Sequence, residues 1–242
     1  MGKRNFQPIQ RKPARRGRSS GNMTTQQDGE ASRMALTLWG GATGRTIRAH
    51  WALHELGLDY EKKLIGSRTG ATQTEEFQAL NPKEKIPVLV HDDFVLTESA
   101  AIVTYLGDTF GGLTPPHGSL DRARYNEWVS FILMELDAHT LYVIRRHEGL
   151  KHLYGEAPAA ITAAREGFLK QIRWAQPRIE SSPYLVGDSF SGVDILMTSC
   201  LDWADSYGFD LAQSLHEYRH RHHERDAYKA AAKINFSISA GA

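Results

Sequence analysis

The chain has 242 residues, 24% of them charged and 41% hydrophobic, enough for one large domain or two modest ones with buried cores. No apolar run approaches the ~20 residues that cross a bilayer, and a single cysteine, Cys200, excludes an intrachain disulfide and fits a reducing compartment. The net charge of +1 conceals an asymmetry, because residues 1–33 carry +6 and the remainder −5. This basic stretch is poor in aliphatic residues and reads as a disordered tail, or as sequence upstream of a natural start at Met34. It has no aromatic-bearing fold beside it, so nucleic-acid binding is not expected. It also has no apolar segment of a secretory signal, so the expected location is the cytoplasm.

From Ala35 to Trp39 the pattern alternates and is β-rich, which predicts a first strand. Gly40 to Gly44 is a loop, and Thr46 is placed to cap a helix through Ile47, Trp51, Leu53 and Leu56 to Gly57. Tyr60–Ile65 reads as a second strand, making a right-handed β-α-β unit. A polar stretch, 66–76, leads to the turn at Asn81-Pro82. Val88–Val90 and Phe94–Leu96 predict a hairpin, and Ile102, Tyr105, Leu106 and Phe110 continue at helical spacing to Gly111-Gly112. Pro115-Pro116 marks a linker. Beyond it the β signal ends: 122–146, 157–180 and 191–207 show helical periods, and 211–234 is a more polar helical stretch. The expected organisation is a basic tail (1–33), an α/β domain (34–112), a linker (113–120) and an all-α domain (121–242).

Residues 81–99 carry the most chemistry. An Ile86-Pro87 bond in cis would turn the main chain of Ile86 outward toward a ligand, whereas a trans proline would simply open an edge strand. Thr97-Glu98-Ser99 then delivers a carboxylate and a hydroxyl to a helix start, where free N–H groups gather. A peptide with an ammonium and several carboxylates could use this whole segment.

The order Asn81-Pro82-x-x-Lys85-Ile86-Pro87-x-Leu89, followed by Leu96-Thr97-Glu98-Ser99-x-x-Ile102, resembles the cytosolic glutathione transferases. Gly57-Leu-Asp-Tyr-Glu61 and Tyr184-Leu-Val-Gly-Asp-x-Phe-Ser191-Gly-x-Asp194-Ile195 agree with it, so the resemblance spans about 34–234. It implies a thioredoxin-like α/β N-terminal domain with cis-Pro87, an all-α C-terminal domain, a homodimer, and glutathione as co-substrate. It further implies that Ile86 meets the main chain of glutathione's cysteine, Glu98 and Ser99 its γ-glutamyl end, and Lys85 its glycine carboxylate. Separately, Ser191 and Asp194 form a capping box that serves folding.

A thiol with a pKa of ~8.5 is mostly protonated at neutral pH. Lowering it by ~2 units takes ~2.7 kcal/mol, about what one hydrogen bond to a charged group supplies. Family members present a hydroxyl or a cysteine after the first strand, and in Gly40–Thr46 the residue at that place is Thr43, of the serine/threonine type seen in bacterial members. Arg45 could assist electrostatically. Arg48 is expected to pair with the helical domain, Cys200 to be a core residue, and the histidines at 216, 220, 222 and 223 to bind no metal. The second-substrate pocket is expected between the Thr43 loop and the first long helix, near Tyr125, Trp128 and Phe131. The expected activity is attack of glutathione thiolate on an electrophilic small molecule. The alternatives are a glutathione-dependent disulfide reductase and a non-catalytic interaction protein on the same fold.

Overall fold

The computed structural model describes residues 35–239 and 241. The reading of residues 1–33 as a tail therefore lies outside the described residues. Strand β1 (Leu36–Trp39) alternates as its sequence requires, with Leu36 and Leu38 turned inward. It pairs in parallel with β2 (Glu61–Lys63) and antiparallel with β3 (Val88–His91), which pairs in turn with β4 (Phe94–Thr97). The sheet order is β2-β1-β3-β4, with Leu38 opposite Leu89 and Leu89 opposite Leu96.

Helix α1 (Thr46–Glu55) connects β1 to β2 and is buried over Thr46 to Leu53, polar residues included. A helix buried all round needs cover on every side. The sheet and α3 (Ser99–Phe110) give one side, and α8 (Gly192–Ser206) and α10 (Asp226–Asn235) give the other. The clamp at its end is polar. Trp51 Nε1 donates to Glu55 Oε1 at 2.8 Å, and Arg225, just ahead of α10, grips the same carboxylate at 2.5 and 2.7 Å.

One element departs from the sequence reading. Within the polar stretch 66–76 a helix starts, α2 (Glu75–Leu80), with Thr74 Oγ1 accepting from the N–H of Phe77. Its signal was a threonine cap followed by Glu75 and Glu76, acids that favour the positive end of a helix. Phe77 anchors it edge-on against Trp39, ring centroids 5.9 Å apart.

After the prolines at 115–116, Ser119 caps α4 (Leu120–Phe131), which continues through π winding at Ile132–Leu141, α5 (Tyr142–Ile144) and further π winding at Arg145–Gly149, ahead of α6 (Lys151–Tyr154). Then come α7 (Pro158–Ser181), α8, α9 (Gln213–His223) and α10. The capping box at the start of α8 is present. Asp194, fully buried, accepts from the N–H of Ser191 at 2.9 Å, the N–H of Leu185 at 2.9 Å and the Tyr218 hydroxyl at 2.7 Å. The result is a thioredoxin-like α/β layer joined to an all-helical domain. Among the described residues, no helix is long and apolar enough to cross a membrane.

Candidate functional site

Two segments meet at one glycine. Gly40 has φ near +125°, and a Cβ there would lie 2.8 Å from Thr46 Cγ2 and 2.9 Å from Ile86 Cβ. That contact is possible only without a side chain, and it sets the loop 40–46 directly beside the segment 81–99.

The segment 81–99 is shaped by its own residues. Asn81, almost fully buried, donates from Nδ2 to the Lys85 carbonyl at 2.7 Å and accepts from the N–H of Lys83 at 3.2 Å. The Ile86–Pro87 peptide is cis, as the resemblance implied. Lys85 is exposed, Ile86 half-buried and Pro87 buried. Glu98 holds φ 72° and ψ 113°, a conformation costly for any residue with a Cβ and characteristic of functional positions. Ser99 then opens α3, twelve residues long, whose first-turn N–H groups have no intrahelical acceptors. Glu98 Oε1 pairs with Lys83 at 2.6 Å, and Lys83 also donates to Thr97 Oγ1 at 2.9 Å. Sequence reasoning passed over Lys83, because a lysine in an exposed turn gives no pattern to recognise.

The loop 40–46 is held differently. Thr43 caps α1: its Oγ1 accepts from the N–H of Thr46 at 3.0 Å, and its carbonyl accepts from Ile47 at 3.1 Å. The expectation that Thr46 is the cap is therefore corrected. Thr46 turns inward instead, fully buried, and its hydroxyl lies 2.6 Å from Asn235 Oδ1 at the end of α10. From α1, buried His50 places Nε2 3.1 Å from the Gly40 carbonyl and Nδ1 2.7 Å from the Tyr60 hydroxyl. Burial drives its pKa down to about 4, so the imidazole is neutral.

Arg45 and Arg48 converge on buried Asp137, in the long helix. Burial works to raise that carboxyl, but the two guanidinium groups outweigh it and hold the pKa below the usual carboxylate range. Arg48 pairs with Asp137 Oδ2 at 2.8 Å, as expected of an interdomain ion pair, and also donates to Ser99 Oγ at 3.3 Å and Ser199 Oγ at 2.5 Å. Arg45 is about one-third exposed and lies over the ring of Tyr142, 4.5 Å from its centroid. Two arginines on one carboxylate leave an excess positive charge whose accessible end is Arg45. Cys200 is buried beside Arg48, and burial pushes its thiol up to about 12.

A groove of about 850 Å³ between α3 and the long helix is lined by Glu98, Ser99, Arg45, Arg48, Asp137 and Met134 among others. It unites Glu98 and Ser99, while Thr43, Lys85, Ile86 and Pro87 lie off it, Ile86 at the contact with Gly40. The groove does pass the turns of the aromatic expectation, where Asn126, Val129 and Ser130 line it, but the rings of Tyr125 and Trp128 do not. Tyr125 is fully buried and bonded to Thr104 at 3.1 Å, and Trp128 packs between Phe131 and Trp174. Tyr125 and Trp128 are core, Phe131 is half-buried against the exposed ring of Trp174, and the part of the long helix that meets the loop includes Asp137 and Tyr142. Among the described residues, no three His, Cys, Asp or Glu side chains gather to hold a metal. His222 is core, bonded to Thr198 at 2.9 Å, with burial lowering its pKa to about 3.

A thioredoxin-like sheet, a cis-proline just ahead of β3 and a separate all-helical domain define the two-domain transferase architecture. The chain belongs to the glutathione S-transferase family: residues 34–108 match "Glutathione S-transferase, N-terminal domain" and residues 131–225 match "Glutathione S-transferase, C-terminal domain". A glutathione S-transferase of Xanthomonas campestris pv. campestris is 28% identical over 178 residues, covering 69% of this chain and 81% of the relative. The solved structure of a Methylococcus capsulatus glutathione transferase is 29% identical with a TM-score of 0.72, covering 84% of this chain and all of the other. A Phanerochaete chrysosporium glutathione transferase, solved with oxidized glutathione, shares the fold at 21% identity and a TM-score of 0.73, over 83% and 95% of the two chains.

Proposed function

We propose that the protein binds glutathione along 81–99 and activates its thiol at the loop 40–46 for attack on an electrophilic small molecule. The observation that carries this reading is the contact at Gly40, which sets the Thr43 loop against Ile86, on the same segment that ends at the positive start of α3. In this reading Ile86 meets the main chain of the cysteinyl residue beside Pro87. The γ-glutamyl carboxylate takes Ser99 Oγ and the free amides of α3, the α-ammonium takes Glu98 in exchange for Lys83, and the glycine carboxylate takes Lys85.

The chemistry then falls to Thr43. Its Oγ1 accepts from the N–H of Thr46 and lies 2.9 Å from Thr46 Oγ1, so its hydroxyl proton turns from Thr46 to the thiolate when the ligand is bound. The excess charge at Arg45 favours the same anion. The thiol proton leaves to solvent, the sulfur lone pair forms a bond to the electrophilic carbon, and the leaving group departs with its bonding pair. The second substrate lies by the loop, against Tyr142 rather than Tyr125. Buried Cys200 offers no thiolate for exchange, so a disulfide reaction would run through glutathione alone.

The reading assigns 34–112 to glutathione and 121–242 to the second substrate, joined through 113–120. It includes a cytoplasmic homodimer, for which half-exposed Phe94 and Met134, both lining the groove, offer an apolar face. The test is calorimetric titration with glutathione, then turnover with an aryl halide and with a small mixed disulfide, on wild type and Thr43→Ala. Binding that Glu98→Ala weakens, with aryl-halide turnover that Thr43→Ala lowers, is the expected result. Failure to bind removes the proposal, turnover of the disulfide alone makes the protein a reductase, and turnover of neither makes it a non-catalytic binder.

A further inference from the structure

We infer that Asn235, the last residue of α10, is a positioning residue for the thiol-activating hydroxyl of Thr43. The inference rests on the proposed role of Thr43 and adds to it a residue almost two hundred positions away. Asn235 is fully buried and turns its main-chain carbonyl and both ends of its side-chain amide to the loop. Its carbonyl accepts from the N–H of Ala42 at 2.6 Å, its Nδ2 donates to the Thr43 carbonyl at 3.2 Å, and its Oδ1 accepts from the Thr46 hydroxyl at 2.6 Å.

The amide has only one workable orientation. A carbonyl cannot donate, so the side facing Thr43 O must be Nδ2, and Oδ1 is left for Thr46. A buried amide oxygen needs a donor, and among the described residues the Thr46 hydroxyl is the one that reaches it. The Thr46 proton is thereby drawn to Asn235, its shortest contact, rather than to the Thr43 carbonyl or hydroxyl, each at 2.9 Å, and Thr46 Oγ1 accepts from the N–H of Thr43 at 3.1 Å. Asn235 thus touches the residue before Thr43, Thr43 itself, and the residue that Thr43 caps.

The loop needs such a tie because its backbone is strained. Ala42 sits at φ 59°, a left-handed conformation that an alanine does not hold unaided. Its N–H is the one fixed by Asn235. Ile238, three residues on, closes over the loop at Gly41, where a Cβ would come within 2.9 Å of it. None of these contacts touches Lys85, Glu98 or Ser99. Loosening Asn235 should therefore move the activating hydroxyl while leaving the peptide-binding segment as it is.

The experiment separates those two functions. Titration of the bound glutathione thiol by thiolate absorbance reports on Thr43, and calorimetry with S-methylglutathione, which has no thiol to ionise, reports on the peptide site alone. Wild type, Thr43→Ala, Asn235→Ala, Thr46→Val and Thr46→Ser are compared, with thermal melting to confirm that each is folded. The expected result is that Asn235→Ala and Thr46→Val each lower the thiolate fraction near neutral pH by about fivefold, the size of one net hydrogen bond. Thr46→Ser, which keeps the hydroxyl, should titrate as wild type, and S-methylglutathione should bind all five proteins equally.

Wild-type titration at the value of free glutathione, or no change in Thr43→Ala, overturns the activation reading and this inference with it. A raised titration in Thr43→Ala but wild-type behaviour in Asn235→Ala and Thr46→Val overturns the inference alone. Parallel loss of thiolate and of S-methylglutathione binding also overturns it, since that is the mark of general loosening. Should Asn235→Ala not fold, the Thr46→Val and Thr46→Ser pair decides alone.

Discussion

The segment 81–99 and the loop 40–46 touch at Gly40, yet they are held in opposite ways. The segment is shaped from within: Asn81 bonds Lys83 and Lys85, Lys83 bonds Thr97 and Glu98, and the proline at 87 is its own. The loop is held from outside, by His50 on α1, Asp137 on the long helix and Asn235 on α10. The groups proposed for binding are thus set by a local code, and the group proposed for activation by tertiary packing. Ligand recognition should accordingly survive damage to the helical domain better than catalysis does.

The largest expected effect tests the outside support. Asp137→Ala leaves Arg48 buried and unpaired, which costs about 3–5 kcal/mol because Arg48 is only 1% exposed. Denaturant unfolding measures it, and a loss below about 1 kcal/mol would show that the triad does not brace the loop.

Acid is the next lever. His50 is neutral in the fold with a pKa of about 4, while in the unfolded chain it titrates near 6.5. The unfolded state therefore binds the extra proton first as pH falls, and stability drops between about pH 6.5 and pH 4 by up to about 3 kcal/mol. His222, with a pKa of about 3, adds to the same slope. Melting curves across that window should be steeper for wild type than for His50→Gln, and equal slopes would remove His50 from the account.

Glu98→Gly sharpens the comparison from the local side. It removes the carboxylate proposed for the ammonium, weakening glutathione binding by about 1.5–3 kcal/mol. It also relieves the backbone at φ 72°, so the melting temperature should hold or rise. A fall in both would mean that Glu98 is structural. The smallest effect belongs to Lys83→Ala. The pair with Glu98 is exposed, so stability should change by less than about 1 kcal/mol, while glutathione, freed of a competitor, should bind slightly tighter in the same titration.

This division also explains what the sequence made legible. The turn at Pro82, the cis bond at Pro87 and the helix start at Thr97-Glu98-Ser99 are written within a few residues, as is the capping box at Ser191 and Asp194. Thr43 could be located by its place after β1, but Thr46 offered the same cap chemistry three residues on, and only the bond to Asn235 distinguishes them. The polar helical stretch read from sequence ended at Ile234, one residue short of Asn235, because a lone asparagine after an alanine-rich run carries no periodic signal. Tyr125 and Trp128 pointed to the right turns of the long helix, but the groove there is lined by Asn126, Val129 and Ser130 rather than by the rings. Their burial depends on α3 and α7, which periodicity along α4 does not reveal.

The most direct measurement is a structure of the protein with glutathione bound. The account predicts the sulfur within ~3.5 Å of Thr43 Oγ1, with the cysteinyl main chain on Ile86 and the γ-glutamyl end at Glu98 and Ser99. Glutathione bound with its sulfur nearer another side chain than Thr43, or bound away from the 81–99 segment, would contradict it.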